Sequence, residues 1–316
     1  MNISIDRIKW NVTLSMPGYV DKLLHKLRPL GVKPVTTPAI YTAPNYKSPK
    51  AQTATVDTSP LATPEQKREL QVIIGTLLYY ARTVDPSILT AVHELGFVQS
   101  SPTMHDRLKA ERLFLYLSVN QNGATRFYAS NMQLQVQSDA SYLCRPKARS
   151  VLGGFHYLGF PDRINGPIFC TSKIISCVVA SVAEAELGAA FQNAQKAAEF
   201  RNTLLELGYP QLPTPIMIDN TVAVGLAADT INAKRSKSMD VRFCWLRDRI
   251  KKGQFRVQHL AGKFNISDFF TKSLPKDKFN QFYEYDVVNL DREPSVQHKR
   301  PKTETMAKQP LRERVC

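Results

Sequence analysis

The chain has 316 residues, of which 43% are hydrophobic, and this length suggests two domains, or one domain with a long preface and a tail. Its formal net charge of +15 favours a polyanionic partner, of which nucleic acid is the commonest, although a basic tail that only improves solubility would give the same excess. Five cysteines without a CxxC pair, and six histidines that do not cluster beside them, argue against a structural zinc site and a disulfide framework. Because no apolar run approaches 18 residues and no signal peptide pattern occurs, we expect an intracellular protein of the cytoplasm, the nucleus or both, without a membrane partner.

Residues 1–125 are predicted to form a mostly helical segment. A short extended pair and a helix starting near Pro17 begin it, and the Pro-rich stretch 33–62 has no period and is predicted to be a long loop. Thr63, Pro64 and Gln66 then form a capping-box pattern that opens a helix. Two more helices are predicted, around residues 86–97 and 103–118.

From residue 126 to 276 the pattern changes to alternating strands and helices. Strand-like runs in MQLQVQSDAS, VLGGFHYLGF and GPIFCTSKIISCVVAS precede a long helix that Ser181 caps and Gly208 ends. The strand PIMIDN, the helices TVAVGLAAD and MDVRFCWLRDRIKKG, the strand QFRVQHLAG and a final helix NISDFFTKSL follow. The order βββαβα(α)βα predicts a mixed α/β domain, and the polar, basic residues 277–316 are predicted to be a disordered tail.

Four acids fall at positions that an α/β fold can bring together. Asp139 ends the first strand of this domain, Glu186 lies in the first turns of the long helix, Asp219 ends PIMID, and Asp268 begins the final helix. Such positions can converge at one end of a sheet, and clustered carboxylates need cations, for which hard oxygen ligands select Mg²⁺ or Mn²⁺. Two such ions suit phosphodiester cleavage. Any single aspartate at a strand end is, however, more often a turn-former.

Glu184 has a structural explanation that Glu186 lacks. With Ser181 it forms the S-x-x-E pattern of a capping box, so we expect it to serve the helix end and to point away from the other acids.

Four motifs resemble, in order and approximate spacing, those of the copia-type retrotransposon ribonuclease H: QSDAS, VAEAELGAA, IDNTVAV and NISDFFTKSLP. SKSMDVRF and LRDRI resemble a further segment of that family. Upstream, LSMPGYVDKLLHKL, VTTP and HDRLKAERLFLYL resemble the region that follows the reverse-transcriptase palm in copia-type Pol polyproteins. Over residues 8–276 the resemblance implies a ribonuclease H-like mixed five-stranded sheet with flanking helices, preceded by a segment like a reverse-transcriptase thumb or connection.

The resemblance implies hydrolysis of the RNA strand in RNA–DNA hybrids, with two Mg²⁺ or Mn²⁺ ions held by Asp139, Glu186, Asp219 and Asp268. Six basic residues are expected to bind the nucleic acid backbone, with a solvated surface as the alternative for them: Arg145, Lys147, Arg149, Lys234, Arg235 and Lys237. His259 is a candidate accessory residue for product release or proton transfer, with an ordinary strand histidine as its alternative.

The chain departs from the family pattern at three places. Met239 stands where the family usually has His, and Ser141 and Tyr142 replace Gly-Trp-type residues after the first acid. No Tyr-x-Asp-Asp polymerase signature occurs, so we expect no polymerase activity and a fragment of a longer Pol polyprotein, whose remainder is an expected partner. The alternative function is a catalytically inert retroelement remnant that only binds nucleic acid or a protein partner.

Overall fold

A mixed sheet of five strands and an antiparallel sheet of four strands organise the described part of the chain. The computed structural model describes residues 1–27, 34–42, 57–160, 163–176, 179–228, 241–286 and 288–289. The strands are β1 (Asn2–Asp6), β2 (Asn11–Ser15), β3 (Gly123–Tyr128), β4 (Leu134–Arg145), β5 (Arg149–Leu158), β6 (Pro167–Ile174), β7 (Thr214–Ile218), β8 (Phe255–His259) and β9 (Val288–Asn289). The α-helices are α1 (Tyr19–Leu27), α2 (Pro64–Thr83), α3 (Leu89–Val98), α4 (Met104–Leu117), α5 (Val182–Glu206), α6 (Thr221–Ala227), α7 (Val241–Lys251) and α8 (Lys276–Asp286), and 3₁₀ helices occupy Pro86–Ile88, Gly262–Phe264 and Ile266–Phe270.

The larger sheet has the strand order β6-β5-β4-β7-β8. The pairs β6–β5 and β5–β4 are antiparallel, whereas β4–β7 and β7–β8 are parallel. The carboxyl ends of β4, β7 and β8 therefore lie at the same edge. This arrangement confirms the mixed five-stranded sheet that the sequence predicts. Asp139 lies inside β4 and not at its end as predicted, because pairing with β5 continues beyond it, and the register places Asp139 beside the end of β7.

Predicted caps begin the two longest helices. Thr63 accepts a hydrogen bond from the Gln66 amide and the Gln66 side chain bonds back to the Thr63 amide, so the capping box at α2 is confirmed. Ser181 accepts from the Glu184 amide at the start of α5. After α5, Gly208 has a φ of +86°, a conformation that glycine adopts without strain.

Helices cover both faces of the larger sheet. On one face α5, α6 and α7 pack against residues of β4 and β7 such as Val136 and Ile216. On the other face the core contains Phe155 and Tyr157 of β5, together with buried side chains from α2, α3 and α4. Full burial of one such phenylalanine stabilises the fold by about 1.5–3 kcal/mol. Residues from both sides of the predicted boundary between residues 125 and 126 consequently share one hydrophobic core, in which the N-terminal helices form one layer.

No strand is predicted at residues 123–128, where the structure has β3. This strand pairs antiparallel with β2, with Leu14 opposite Thr125. The partner strand is more than a hundred residues away, so neither local sequence carries the pairing signal. Periodicity in one segment cannot reveal such a distant ladder.

The prediction of a disordered tail over residues 277–316 is wrong for residues 277–286, which belong to α8. Phe279 anchors this helix, because its ring stacks on Phe269 with centroids 4.9 Å apart and meets Tyr116 edge-on at 5.8 Å. One buried aromatic side chain does not create a helical period, which is why composition alone predicted disorder. Residues 290–316 of the predicted tail lie outside the described residues.

Not one of the described helices combines the length and the apolar character needed to cross a lipid bilayer.

Asp85 is a buried carboxyl at the junction between α2 and the 3₁₀ helix that follows it. Its Oδ1 accepts a hydrogen bond from the Ser87 amide at 3.1 Å and another from the Ser87 hydroxyl, while Oδ2 is buried without a hydrogen bond. Burial raises the pKa of Asp85 to about 6, although the Ser87 hydrogen bonds oppose the shift. The folded state therefore favours the protonated carboxyl.

We predict that Asp85→Asn flattens the dependence of stability on pH. Because the folded-state pKa exceeds the unfolded value of about 3.9, the stabilisation is complete below pH 4 and is lost as pH rises through about 6. Relative to the variant, the wild type should lose about 3 kcal/mol of unfolding free energy between these limits. Urea unfolding in EDTA from pH 4 to pH 7 measures this, with exposed Asp277→Asn as the control. Parallel curves for wild type and Asp85→Asn would contradict the prediction.

Candidate active site

Three aspartates from separate segments converge at the carboxyl edge of the larger sheet. Asp139 lies on β4, Asp219 directly follows β7, and Asp268 lies on the 3₁₀ helix Ile266–Phe270. One carboxylate oxygen of each lies within 4.8 Å of the others. The parallel register, with Gln137 opposite Met217, brings the first two together two residues further along both strands. Asp139 and Asp268 are buried and Asp219 is half-buried.

Glu186 borders these aspartates from α5. Its Oε1 accepts a hydrogen bond from the Ala140 amide at 3.3 Å, directly beside Asp139, and the side chain is buried. It is not a member of the group whose oxygens lie within 4.8 Å. We call Asp139, Glu186, Asp219 and Asp268 together the acid cluster.

Glu184 serves the helix end, although its side chain accepts from the Ala180 amide and not from the Ser181 amide that the predicted capping box requires. Its amide donates to Ser181 Oγ at 3.2 Å, and its Oε2 accepts from the Ala180 amide at 2.8 Å. Because the Glu184 carboxylate bonds to a backbone amide just before the helix, its role is local and structural.

Burial and mutual repulsion shift the protonation of the acid cluster. Burial raises the pKa of Asp139 and of Glu186, and the charge of Asp139 raises that of Glu186 further. Burial and the Asp268 charge also raise the pKa of Asp219. The pKa of Asp268 moves the other way, because Lys272 and Lys278 outweigh the effect of its burial. The cluster therefore holds less negative charge than four free carboxylates would, and it favours cations.

Two lysines that the sequence analysis did not single out contact the acid cluster. Lys272 Nζ lies 2.9 Å from Asp268 Oδ1 and 3.9 Å from Asp139 Oδ2. Lys278, on α8, donates a hydrogen bond to Asp268 Oδ2. The spacing of four residues between Asp268 and Lys272 was a usable signal, whereas the contact of Lys278 depends on the unpredicted helix α8.

Side chains of β4 fix the position of the segment that carries Asp268. Gln137 Oε1 accepts a hydrogen bond from the Ile266 amide at 2.7 Å, and Asn265 Nδ2 donates to the Ser138 carbonyl at 3.1 Å. The Thr271 hydroxyl donates to Asp139 Oδ2. The sequence predicted a regular final helix here, but the structure has a short 3₁₀ helix whose backbone groups bond to the sheet. Tertiary hydrogen bonds thus replace part of the helical ladder.

Gly153 allows this segment to approach the sheet. It is the residue of β5 that pairs with Asp139, and a Cβ at this position would lie 2.5 Å from the Ser267 carbonyl oxygen. That distance is too short for any side chain unless the backbone shifts. The absence of a side chain at Gly153 is therefore a condition for the contact between the strand of Asp139 and the segment of Asp268.

The neighbouring Gly154 has the same function on the opposite face of the sheet. A Cβ there would collide with the side chain of Asn193 on α5. Asn193 Nδ2 donates to Ser138 Oγ at 2.9 Å and to the Gly153 carbonyl at 3.0 Å, and its Oδ1 lies 3.1 Å from His156 Nε2. This buried network holds α5, and hence Glu186, against the strands beside Asp139.

The donor atoms of the acid cluster fit divalent metal ions. Glu186 Oε2 and Asp268 Oδ1 are buried and make no hydrogen bond among the described residues, although Lys272 lies close to the second. Buried oxygens without hydrogen bonds are costly unless a cation compensates them. All donors are hard carboxylate oxygens, which Mg²⁺ and Mn²⁺ prefer.

The predicted backbone-binding residues have different surroundings. Arg145 Nη1 lies 2.9 Å from Glu94 Oε1 and its guanidinium lies over the Phe97 ring, so its charge is used within the protein. Lys147 and Arg149 are exposed at the turn between β4 and β5. Lys234, Arg235 and Lys237, like Met239, lie outside the described residues.

His259 ends β8 and is exposed. It pairs with Ile218, the residue before Asp219, and a positive charge on its ring lowers the pKa of Asp219. The structure thus places His259 near Asp219.

No protein-family model matches the chain. It is 25% identical over 284 residues to the retrovirus-related Pol polyprotein from transposon TNT 1-94 of Nicotiana tabacum, which covers 88% of this chain and 20% of that protein. It is 27% identical over 285 residues to the Pol polyprotein from transposon RE1 of Arabidopsis thaliana, covering 89% of this chain and 18% of that protein. The chain thus spans about a fifth of the length of these relatives.

Among solved structures, LC11-RNase H1 from compost matches with a TM-score of 0.35 and 10% identity, covering 48% of this chain and 97% of that one. The N-terminal RNase H domain of rv2228c from Mycobacterium tuberculosis matches with a TM-score of 0.30 and 12% identity, covering 48% and 97%. The fold of this chain is defined by its own strand order and flanking helices, as described above. Over most of its length the chain is similar to retrovirus-related Pol polyproteins of plant copia-like transposons.

Proposed function

We propose that the protein hydrolyses the RNA strand of RNA–DNA hybrids in a reaction that depends on Mg²⁺ or Mn²⁺. The observation that carries the proposal is the convergence of Asp139, Asp219 and Asp268 within 4.8 Å, with buried Glu186 beside them. The similarity to Pol polyproteins supports a nucleic acid substrate. The net charge of +15 agrees with a polyanionic substrate.

In this proposal the acid cluster holds two divalent ions. When bound, the ions would supply the acidification of an attacking water and the neutralisation of charge on the departing 3′ oxygen. Asp139, Asp219 and Asp268 would hold the ions, with Glu186 beside them. The hydrogen bonds from Thr271 and from the Ala140 amide fix the orientations of Asp139 and Glu186.

The basic residues bind and orient the substrate. Exposed Lys147 and Arg149 lie at the turn between β4 and β5, where they can contact phosphates of a bound substrate. We assign Lys234, Arg235 and Lys237 the same function on the strength of the sequence. Arg145 supports the turn through Glu94. Contacts to 2′-hydroxyl groups would distinguish the RNA strand.

His259 is the proposed accessory residue. Its place beside Asp219, at the exposed end of β8, allows it to transfer a proton to or from the product side of the cluster.

We predict that Glu186→Gln stabilises the metal-free protein and abolishes its stabilisation by metal. Burial and neighbouring charges raise the pKa of Glu186 to about 10, so at pH 8 without metal the folded state keeps this carboxyl protonated while the unfolded state ionises it, which lowers the stability. The variant should gain about 1–3 kcal/mol of unfolding free energy in EDTA, and Mg²⁺ should add stability only to the wild type. Urea unfolding in both buffers measures this.

Glu184→Gln is the matched control for that experiment. It should lose only the cap contribution, about 1 kcal/mol, equally with and without Mg²⁺. A Glu186→Gln variant that is less stable than the wild type in both buffers would show that the carboxylate has a structural role.

We predict that Asp139→Asn folds but does not cleave. The amide keeps the shape and can still accept the Thr271 hydrogen bond, whereas the charge that holds the ions is lost. A cleavage time course on labelled RNA–DNA hybrid, duplex DNA and single-stranded RNA, with EDTA controls, measures the activity. Equal cleavage by wild type and variant would indicate a contaminating nuclease. A folded, metal-loaded wild type that binds hybrid without cutting it would favour the inert remnant.

We predict that the affinity for hybrid falls steeply with salt, because phosphate contacts release counterions. Replacing Lys234, Arg235 and Lys237 with alanine should reduce the slope by up to roughly three units, at about 0.9 per contact. Replacing exposed Arg7, Lys9 and Lys22 removes the same charge from the N-terminal residues and should leave the slope nearly unchanged. Equal slopes for the first variant and the wild type would exclude backbone contacts by those three residues.

A further inference from the structure

We propose that Lys272 is a built-in counterion of the acid cluster, and that its ammonium group must leave for a divalent ion to bind between Asp139 and Asp268. This inference rests on the metal dependence of the proposed function. It states that Lys272 competes with the metal for the same carboxylates and therefore lowers the metal affinity of the site.

The ammonium group lies where a metal ion would share ligands. Lys272 Nζ is 2.9 Å from Asp268 Oδ1 and 3.9 Å from Asp139 Oδ2, and its charge also acts on Asp219. It therefore faces the three aspartates whose oxygens lie within 4.8 Å of one another. An ammonium group and a divalent ion cannot share this position.

Lys272 contacts Asp268 Oδ1 as an ion pair at 2.9 Å. A divalent cation can replace this interaction, because both cations compensate the negative charge of the same carboxylate oxygen. The other oxygen of Asp268 is held separately by Lys278.

The two lysines differ in how freely they can move. The Lys272 side chain is 45% exposed, so its ammonium group can turn into solvent without opening the core. Lys278 lies on α8, which the stacking of Phe279 on Phe269 anchors. We therefore assign to Lys278 the orientation of Asp268, and to Lys272 the place that the metal takes.

The charges around Lys272 explain why it occupies this place in the absence of metal. Burial disfavours its charged form, but Asp139 and Asp268 outweigh burial, so its pKa is raised. Without this cation, the buried carboxylates would repel one another with no compensation. Lys272 thus stabilises the metal-free protein and weakens metal binding through the same interaction.

The experiment compares the full-length wild type with Lys272→Met and with Lys276→Met, which removes the same charge from an exposed position in the first turn of α8. Mn²⁺ affinity is measured by calorimetric titration, and melting temperature is measured in EDTA and in Mn²⁺. We expect Lys272→Met to bind Mn²⁺ more tightly by on the order of 10-fold, since a competing unit charge within 4 Å is removed. Its melting temperature should fall in EDTA, and its gain on adding Mn²⁺ should exceed that of the wild type. Lys276→Met should match the wild type in each measurement.

A second variant keeps the test decisive if Lys272→Met folds only with metal present. Lys272→Arg retains the charge and should retain an Mn²⁺ affinity near that of the wild type. A gain in affinity for Lys272→Arg equal to that for Lys272→Met would overturn the inference, because charge would not be the cause. Unchanged affinity in Lys272→Met, with normal Mn²⁺ binding by the wild type, would overturn the inference alone. No Mn²⁺ binding by the wild type would overturn both the inference and the proposed function.

Discussion

Repulsion among buried carboxylates is the constraint on which the rest of this structure depends. Asp139, Glu186, Asp219 and Asp268 come from four separate segments, and burial raises the free energy of their ionised forms. Nothing within the cluster attracts its members to one another. Their proximity is imposed by the parallel pairing of β4 with β7, by the packing of α5 and by the docking of the last 3₁₀ helix. Lys272 and Lys278 then compensate part of the charge.

Beside the acid cluster, two adjacent positions of β5 carry no side chain. Gly153 and Gly154 lie opposite Asp139 and Ser138 on β5, and each leaves room on one face of the sheet. One face admits the Ser267 carbonyl and the other admits the Asn193 side chain. Two segments bearing acids therefore approach the same short stretch of β4 from opposite sides. Because protein interiors are close-packed, even one methyl group at either glycine would move an acid-bearing segment away from Asp139.

The sequence predicted the parts of this molecule that are encoded locally. The capping residues Thr63 and Ser181, the mixed sheet and the strand end before Asp219 were readable because caps, alternation and motif order are short-range signals. The predicted strand end at Asp139 was wrong, because pairing with β5 continues β4 beyond this residue. The strand β3, the helix α8 and the contacts of Lys278 were missed, because each depends on a partner distant in the sequence. The same reason explains why the extended final helix was predicted wrongly: hydrogen bonds to β4 shorten it to a 3₁₀ helix.

The two halves of the chain are expected to fold together, because α2–α4 and the larger sheet share one hydrophobic core. The helices α2–α4 are synthesised before β5, so their apolar faces stay exposed until β5 is available to pack against them. A protease cut in the connection between α4 and β3 should accordingly leave two fragments that stay associated, held by side chains such as Leu77 and Phe155. The larger sheet thus depends on the N-terminal helices to cover one of its faces, and removing them would expose Phe155 and Tyr157 to solvent.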